Sequence, residues 1–275
     1  MNDSSVILPV YNRPQLLMRA LESISRQTLQ PTEVIVVDDG SDESLESVLQ
    51  SNKKLPITFF RLSKNSGAGA ARNAGIKLAQ CQLIAFLDSD DEWLPNKLEK
   101  QVAYHNTIPG LISTTGFEII HELHKTRKER IPKETQTKKE LQKGCFLSPG
   151  STMLVNRTIF SKVGTFDESL KRFEDWEWLL RASEYTTIHS LSENLSKVYF
   201  NKRPKYDIVV LEVNKVLSKF KEKSIHVSGQ VEKGISAFYA QKYFKATKHL
   251  AAAIKLSPLV FVTVLVRCLN ALMRR

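Results

Sequence analysis

Four acids crowd five positions in Asp88-Ser89-Asp90-Asp91-Glu92. Carboxylates this close repel one another, and keeping them ionised in a cleft calls for a compensating cation. Asp88 and Asp90 flank one residue, the spacing of a D-x-D site that offers hard oxygen ligands to a divalent ion and leaves positions open for phosphate oxygens. The plain alternative is a solvated acidic turn capping a helix that starts near Leu94-Pro95. A second acidic pair, Asp38-Asp39, runs into Gly40-Ser41. A carboxylate there can accept from a ribose hydroxyl or a base N–H, or it can cap the following turn. A third pair, Glu174-Asp175, reads either as a general base presented to substrate or as acids placed against a helix dipole.

The elements that must carry these acids follow from the apolar pattern. Leu83-Ile84-Ala85-Phe86-Leu87 reads as a buried strand ending at Asp88, and open α/β sheets place ligands at such carboxyl ends. Residues 6–10 form another strand, broken by Tyr11-Asn12-Arg13-Pro14 and followed by a helix with Leu16, Leu17, Ala20, Leu21 and Ile24 on one face. Residues 33–37 are a strand ending in Asp38-Asp39, so both acidic clusters should lie along one sheet edge. Residues 44–49 read as helix, 57–62 as strand and 70–79 as helix. Strands alternating with helices imply a mostly parallel, doubly wound, Rossmann-like sheet with right-handed crossovers.

The loop Gly67-Ala68-Gly69-Ala70-Ala71-Arg72 follows a strand and precedes a helix, as a dinucleotide fingerprint does. Arg72 occupies the place of the third glycine, which that fingerprint needs for helix–strand packing, so the dinucleotide reading fails. A glycine loop at a helix start with a nearby Arg still suits an anionic ligand, while an internal ion pair with nearby acids explains Arg72 equally well. Farther on, residues 111–120 read as strand. Residues 121–143, with eight Lys/Arg against four Asp/Glu, read as a solvated hairpin or mobile loop near the cleft. His121 and His124 fit neither one strand face nor one helical turn and read as surface residues. Residues 146–156 read as a loop entering a strand. Residues 163–168 form a turn, and Glu174-Asp175 occupies the first turn of a helix carrying Leu179, Leu180 and Ala182.

These stretches together resemble the family 2 glycosyltransferases, the inverting enzymes with the GT-A fold. The resemblance is carried by Ile7-Leu8-Pro9-Val10-Tyr11-Asn12-Arg13, Val36-Val37-Asp38-Asp39-Gly40-Ser41, Asn65-Ser66-Gly67 through Gly75, Phe86-Leu87-Asp88-Ser89-Asp90-Asp91, Val163-Gly164-Thr165-Phe166-Asp167-Glu168 and Glu174-Asp175-Trp176. They stand in the family's order across about residues 4–200. The resemblance implies a nucleotide-sugar site of Pro9, Tyr11, Arg13, Asp39, Gly67, Arg72, Asp88, Ser89 and Asp90. In it Tyr11 lies near the base and Asp39 accepts from it, which favours uracil and a UDP-sugar donor. Asp88 and Asp90 would hold a divalent metal, Mn2+ or Mg2+, on the diphosphate, with Asp91 sharing that task. Asp175 would deprotonate the acceptor hydroxyl. The implied reaction moves a hexosyl or N-acetylhexosaminyl group, with inversion, to a glycan or lipid-linked acceptor in cell-surface polysaccharide or lipopolysaccharide synthesis. One departure stands out. Many relatives carry a His after the last strand of the catalytic domain, but here Val198-Tyr199-Phe200 leads into Asn201-Lys202-Arg203-Pro204, so Lys202 or Arg203 is expected to meet phosphate instead.

Composition sets the outer bounds. With 275 residues and 42% hydrophobic content, the chain suits one large α/β domain plus an appendage rather than a disordered segment. The expected division is a catalytic domain over 1–205 and a basic helical tail over 206–275. Cys81, Cys145 and Cys268 match no metal or disulfide spacing, and the N-terminus shows no signal-peptide pattern, which suits the cytoplasm. The net charge of +11 is uneven: residues 197–275 hold sixteen Lys/Arg and four Asp/Glu, a net of +12. No nucleic-acid motif accompanies it, so a nucleic-acid partner is not expected. The tail has helical apolar spacing over 208–220 and resembles one tetratricopeptide helix pair over 231–252. Its apolar stretch from Leu259 to Val266 is too short to span a membrane and reads as an interfacial helix with basic flanks, giving peripheral contact at the inner face of the plasma membrane. Two other readings compete. A sugar nucleotidyltransferase should carry a glycine-rich basic loop after the first strand, where Tyr11-Asn12-Arg13-Pro14 stands instead. An inactive nucleotide-sugar-binding protein has no need of the intact set Asp39, Asp88, Asp90 and Asp175.

Overall fold

The computed structural model describes residues 3–52, 54–122, 125–200 and 204–273. Its sheet is built from β1 (Ser4–Val10), β2 (Glu33–Asp38), β3 (Ile57–Arg61), β4 (Leu83–Phe86), β5 (Glu92–Trp93), β6 (Ile112–His121), β7 (Thr126–Arg130), β8 (Thr135–Gln136), β9 (Leu154–Asn156) and β10 (Ile188–Tyr199). The order is β3-β2-β1-β4-β9-β6-β10-β5, with β7 added to β6 and β8 to β10. The first four strands are parallel, with β1 central: Ile7 pairs with Ile35 on one side and Phe86 on the other. The second half departs from the mostly parallel expectation. β9 runs antiparallel to both β4 and β6, β10 is parallel to β6, and β5 closes the edge antiparallel to β10.

Helices cover both faces, which is why the parallel strands read as unbroken apolar runs rather than alternating ones. Successive residues of β1 point to opposite faces. Val6, Leu8 and Val10 pack in one core with Leu17, Leu21 and Ile24 of α1 (Pro14–Ser25), Val48 of α2 (Glu46–Ser51) and Leu98 and Val102 of α4 (Lys97–His105). Ile7 packs in the other core with Ala71 and Ile76 of α3 (Ala68–Leu78). α5 (Lys138–Leu141), α6 (Pro149–Thr152) and α7 (Ile159–Val163) are short, and α8 (Glu174–Ala182) carries the third acidic pair.

Several boundaries differ from the sequence reading. The acidic cluster does not cap a helix at Leu94; it enters the two-residue strand β5, and the helix begins at Lys97. The loop before β9 is wound into the single turn α6. The basic stretch after β6 is a hairpin with β7, as expected. The tail forms α9 (Tyr206–Lys219), α10 (Lys223–Tyr239), α11 (Tyr243–Leu256) and α12 (Pro258–Met273). Val209, Val213, Val216 and Leu217 of α9 belong to the same core as Ile7 and Trp178, so this helix is packed into the α/β body.

Candidate active site

A cleft of about 760 Å³ lies at the carboxyl ends of β1, β2 and β4. Pro9, Tyr11, Arg13, Asp39, Gly67, Arg72, Asp88, Ser89, Asp90 and Asp175 all line it. That volume falls in the range of small-molecule and cofactor sites. The parallel half of the sheet brings these residues together: β1 delivers Pro9 and Tyr11, β2 delivers Asp39, and β4 delivers Asp88 through Asp90.

Asp39 is buried and organises the glycine loop. Its Oδ1 accepts from the Ser66 N–H at 2.7 Å and its Oδ2 from the Gly67 N–H at 2.8 Å. Gly67 sits at φ +99°, a conformation that side-chain-bearing residues rarely adopt. Lys171 braces the same loop, donating to the Ser66 carbonyl at 2.6 Å. Each Asp39 oxygen has a second lone pair, and the residue lines the cleft.

Arg72, which the sequence left between a ligand contact and an internal pair, is an internal pair on two fronts. It is 4% exposed, and its guanidinium bridges Asp88 Oδ1 at 2.6 Å and Glu174 Oε1 at 2.7 Å. Burial opposes its charge, but Asp88, Glu174 and Asp175 outweigh burial and hold it protonated. One cation therefore ties the D-x-D strand end to the start of α8. Asp88 is fixed further by its own N–H, which donates to Ser151 Oγ at 3.1 Å, and by Gly150, where an added Cβ would stand 2.2 Å from Asp88 Oδ2.

Asp90 pairs with Arg13 at 2.6 Å, and Arg19 donates to its carbonyl at 2.5 Å. Burial and the neighbouring Asp88 raise its pKa, with Arg13 opposing. Asp88 and Asp90 thus each give one oxygen to an arginine and keep Asp88 Oδ2 and Asp90 Oδ1 outside those pairs. Two carboxylates this close in sequence, each with one oxygen outside its arginine pair, suit an added cation. Among the described residues no three His, Cys, Asp or Glu side chains form a metal cage. The set on offer is two carboxylates, which fits an ion completed by phosphate oxygens and water.

Asp91, expected to share the metal, is placed elsewhere. It is 3% exposed; Oδ1 accepts from the Tyr199 N–H at 2.9 Å and Oδ2 from the Ser151 hydroxyl. Both oxygens serve to fasten β10 and α6 behind the strand end, and burial together with Asp88 and Asp90 raises its pKa well above the carboxylate range. His121 meets the Phe200 carbonyl at 3.0 Å through Nδ1. His124, Lys202 and Arg203 lie outside the described residues.

On the far wall, Asp175 stands in the first turn of α8. Burial, then Glu174, push its carboxyl up to about 6 against the pull of Arg72 and of the Trp176 N–H, which donates to Asp175 Oδ1 at 2.7 Å. The chain enters α8 through Phe173 at φ +64°, a left-handed conformation for a bulky residue. The Trp176 indole donates to the Leu141 carbonyl at 2.7 Å and locks the helix start. Sequence reasoning missed Arg19, Gly150, Ser151 and Lys171, and gave Glu174 no separate role. Arg19, Gly150, Ser151 and Lys171 lie in no stretch whose residue types announce chemistry; each acts through long-range contacts. Phe146, Phe173, Arg130, Lys143 and Arg172 also line the cleft.

The family model of Glycosyl transferase family 2 matches residues 5–164. An uncharacterized glycosyltransferase of Rickettsia typhi is 31% identical over 200 residues, 70% of this chain and 62% of that protein. A Bacillus subtilis glycosyltransferase named for teichuronic acid biosynthesis, TuaG, is 37% identical over 118 residues, 42% of this chain and 47% of its own. The chain thus spans less than two thirds of the length of these relatives. Among solved structures, S. aureus TarS 1–349 in complex with UDP-GlcNAc superposes with a TM-score of 0.67 and 19% identity, covering 92% of this chain and 81% of that one. At that identity the likeness is one of fold.

Proposed function

The chain belongs to glycosyl transferase family 2, and from that premise we propose that it transfers a sugar, with inversion, from a UDP-sugar to a hydroxyl of a glycan or lipid-linked acceptor in cell-surface polysaccharide synthesis. The observation that carries this reading is a single cleft with two differently built walls, joined by Arg72. One wall carries Tyr11, Asp39, Asp88 and Asp90; the other carries Asp175 with its raised pKa. A relative named for teichuronic acid biosynthesis and a fold neighbour crystallised with UDP-GlcNAc support the acceptor class and the donor class.

Tyr11, 38% exposed at the cleft, offers a face to the base, and the Asp39 carboxylate accepts from a base N–H. Arg13 holds Asp90 and faces the diphosphate. A divalent ion, Mn2+ or Mg2+, held by Asp88 and Asp90 would neutralise charge growing on the leaving diphosphate. Asp175 takes the proton of the acceptor hydroxyl as the hydroxyl oxygen bonds to the anomeric carbon and the bond from that carbon to the leaving phosphate oxygen breaks. The nucleoside diphosphate leaves with that electron pair. One displacement inverts the centre, so no second nucleophilic carboxylate is required. A carboxyl near 6 is ionised at neutral pH yet basic enough to assist a poorly acidic hydroxyl.

A thermal-shift screen of UDP-sugars, with and without Mn2+, tests the reading. The folded chain should melt higher with its donor, the metal should enlarge the shift, and Asp90→Ala should abolish the metal's share. No shift with any UDP-sugar, metal present, would sink it.

A further inference from the structure

α12 has two faces with different surroundings. Phe261 and Val264 on one face are 9% and 2% exposed, and Val264 lines the cleft beside Ser228 and Glu232 of α10. Leu259, Val262 and Val266 on the other face are 80%, 55% and 47% exposed, and their spacing sets them in one stripe. The preceding helix continues this surface chemistry. On α11 Phe244 is 83% exposed, Ile254 is exposed, and Lys245, Lys248 and Lys255 all reach solvent. At 3.6 residues per turn, Phe244, Lys248, Ala251 and Lys255 share a side of the helix. From residue 243 onward the sequence holds six Lys/Arg and no Asp/Glu. No helix among the described residues is long and apolar enough to cross a membrane.

We propose that α11 and α12 dock the chain on an anionic bilayer surface, and that the sugar acceptor is consequently anchored in that bilayer. Exposed aliphatic and aromatic side chains flanked by lysines, with no acid among them, match the apolar boundary and negative headgroups of a lipid surface. A second copy of this chain fits less well, because two such basic faces would repel and carry no carboxylate to pair across the contact. Docking matters for the reaction because α12 is one helix: its stripe faces outward while Val264, on its opposite side, is part of the cleft wall. A lipid surface against the stripe therefore lies about one helix diameter, ~10 Å, from the cleft. An acceptor whose head group sits at that depth reaches Asp175 without leaving its anchor. The acceptor half of this inference rests on the sugar-transfer reading above.

Sedimentation of the full chain with phosphatidylcholine vesicles, with and without phosphatidylglycerol, tests it. The chain should sediment with the anionic vesicles and be released by salt. Leu259→Glu combined with Val262→Glu should cut the vesicle partition coefficient at least about tenfold, the weight of one buried aliphatic side chain. The melting temperature and the UDP-sugar shift should stay as they were. Absence of binding to anionic vesicles, or unchanged binding by the double variant, overturns docking while leaving the sugar-transfer reading intact. A dimer that the double variant converts to monomer in light scattering overturns it in favour of self-association. Vesicle binding without any UDP-sugar shift overturns the acceptor half.

Discussion

Asp175→Asn separates chemistry from folding. The amide keeps the shape and can still accept from the Trp176 N–H, so the start of α8 should survive. What disappears is a base. Loss of general-base assistance typically costs about 10²–10⁴-fold in rate, and transfer by the variant should fall by that order. Stability should move the other way. Burial and Glu174 raise the folded-state pKa from 3.8 to about 6, so the protonated form is the favoured one inside the fold. The stabilising contribution is therefore complete below about pH 4 and is lost as pH rises through 6; at pH 7.5 the ionised carboxylate is a burden. A shift of that size sets a ceiling of about 3 kcal/mol for the burden. The neutral amide of the variant carries none of it. The variant should melt at least as high as the parent at pH 7.5, by several degrees at the ceiling, and the gain should vanish near pH 4. In the parent, kcat/KM should rise with pH through about 6 and then level. Scanning fluorimetry at the two pH values and transfer assays with the UDP-sugar provide the readout. Full transfer by folded Asp175→Asn refutes the base; a lower melting temperature at pH 7.5 refutes the electrostatic argument.

Other perturbations test the supporting structure. Arg72→Met strands Asp88 and Glu174 and should cost about 3–5 kcal/mol in urea denaturation, the size expected when one partner leaves a buried ion network. Gly150→Ala puts a methyl where Asp88 Oδ2 stands, so it should impair metal-dependent donor binding in calorimetry more than it lowers the melting temperature. Lys97 is fully buried, with Nζ 3.7 Å from the Trp93 ring centre and no hydrogen-bond partner, and burial holds its pKa well below that of a free lysine. Because its folded pKa is lowered, Lys97 costs stability increasingly as pH falls; Lys97→Met should therefore be neutral or stabilising at pH 7.5 and more stabilising at lower pH, read by thermal melts.

Much of this architecture can be read in the residues. The parallel strands were legible because burial on both faces leaves runs such as Val34-Ile35-Val36-Val37, and the carboxyl ends of those runs located Asp39 and Asp88 correctly on one edge. The second half of the sheet was less legible. β9 is three residues long and its antiparallel pairing with β4 and β6 is set by contacts far apart in sequence. Asp91 illustrates the same gap within the site. Its neighbours Asp88 and Asp90 line the cleft, yet the turn of the chain hands Asp91 to Ser151 and Tyr199, sixty and 108 residues away. Local composition names a cluster of acids; only the tertiary partners divide them into cleft-facing and buried ones. Arg72 is the converse case, a loop cation whose two partners lie sixteen and 102 residues off.

The most direct test of the central claim is the stereochemistry of donor turnover. Proton NMR can follow an α-linked UDP-sugar incubated with the full chain and Mn2+, with water as acceptor, before the released sugar mutarotates. A single displacement assisted by Asp175 gives the β-anomer as the first free sugar, and Asp175→Asn should slow its appearance. First release of the α-anomer would contradict the account.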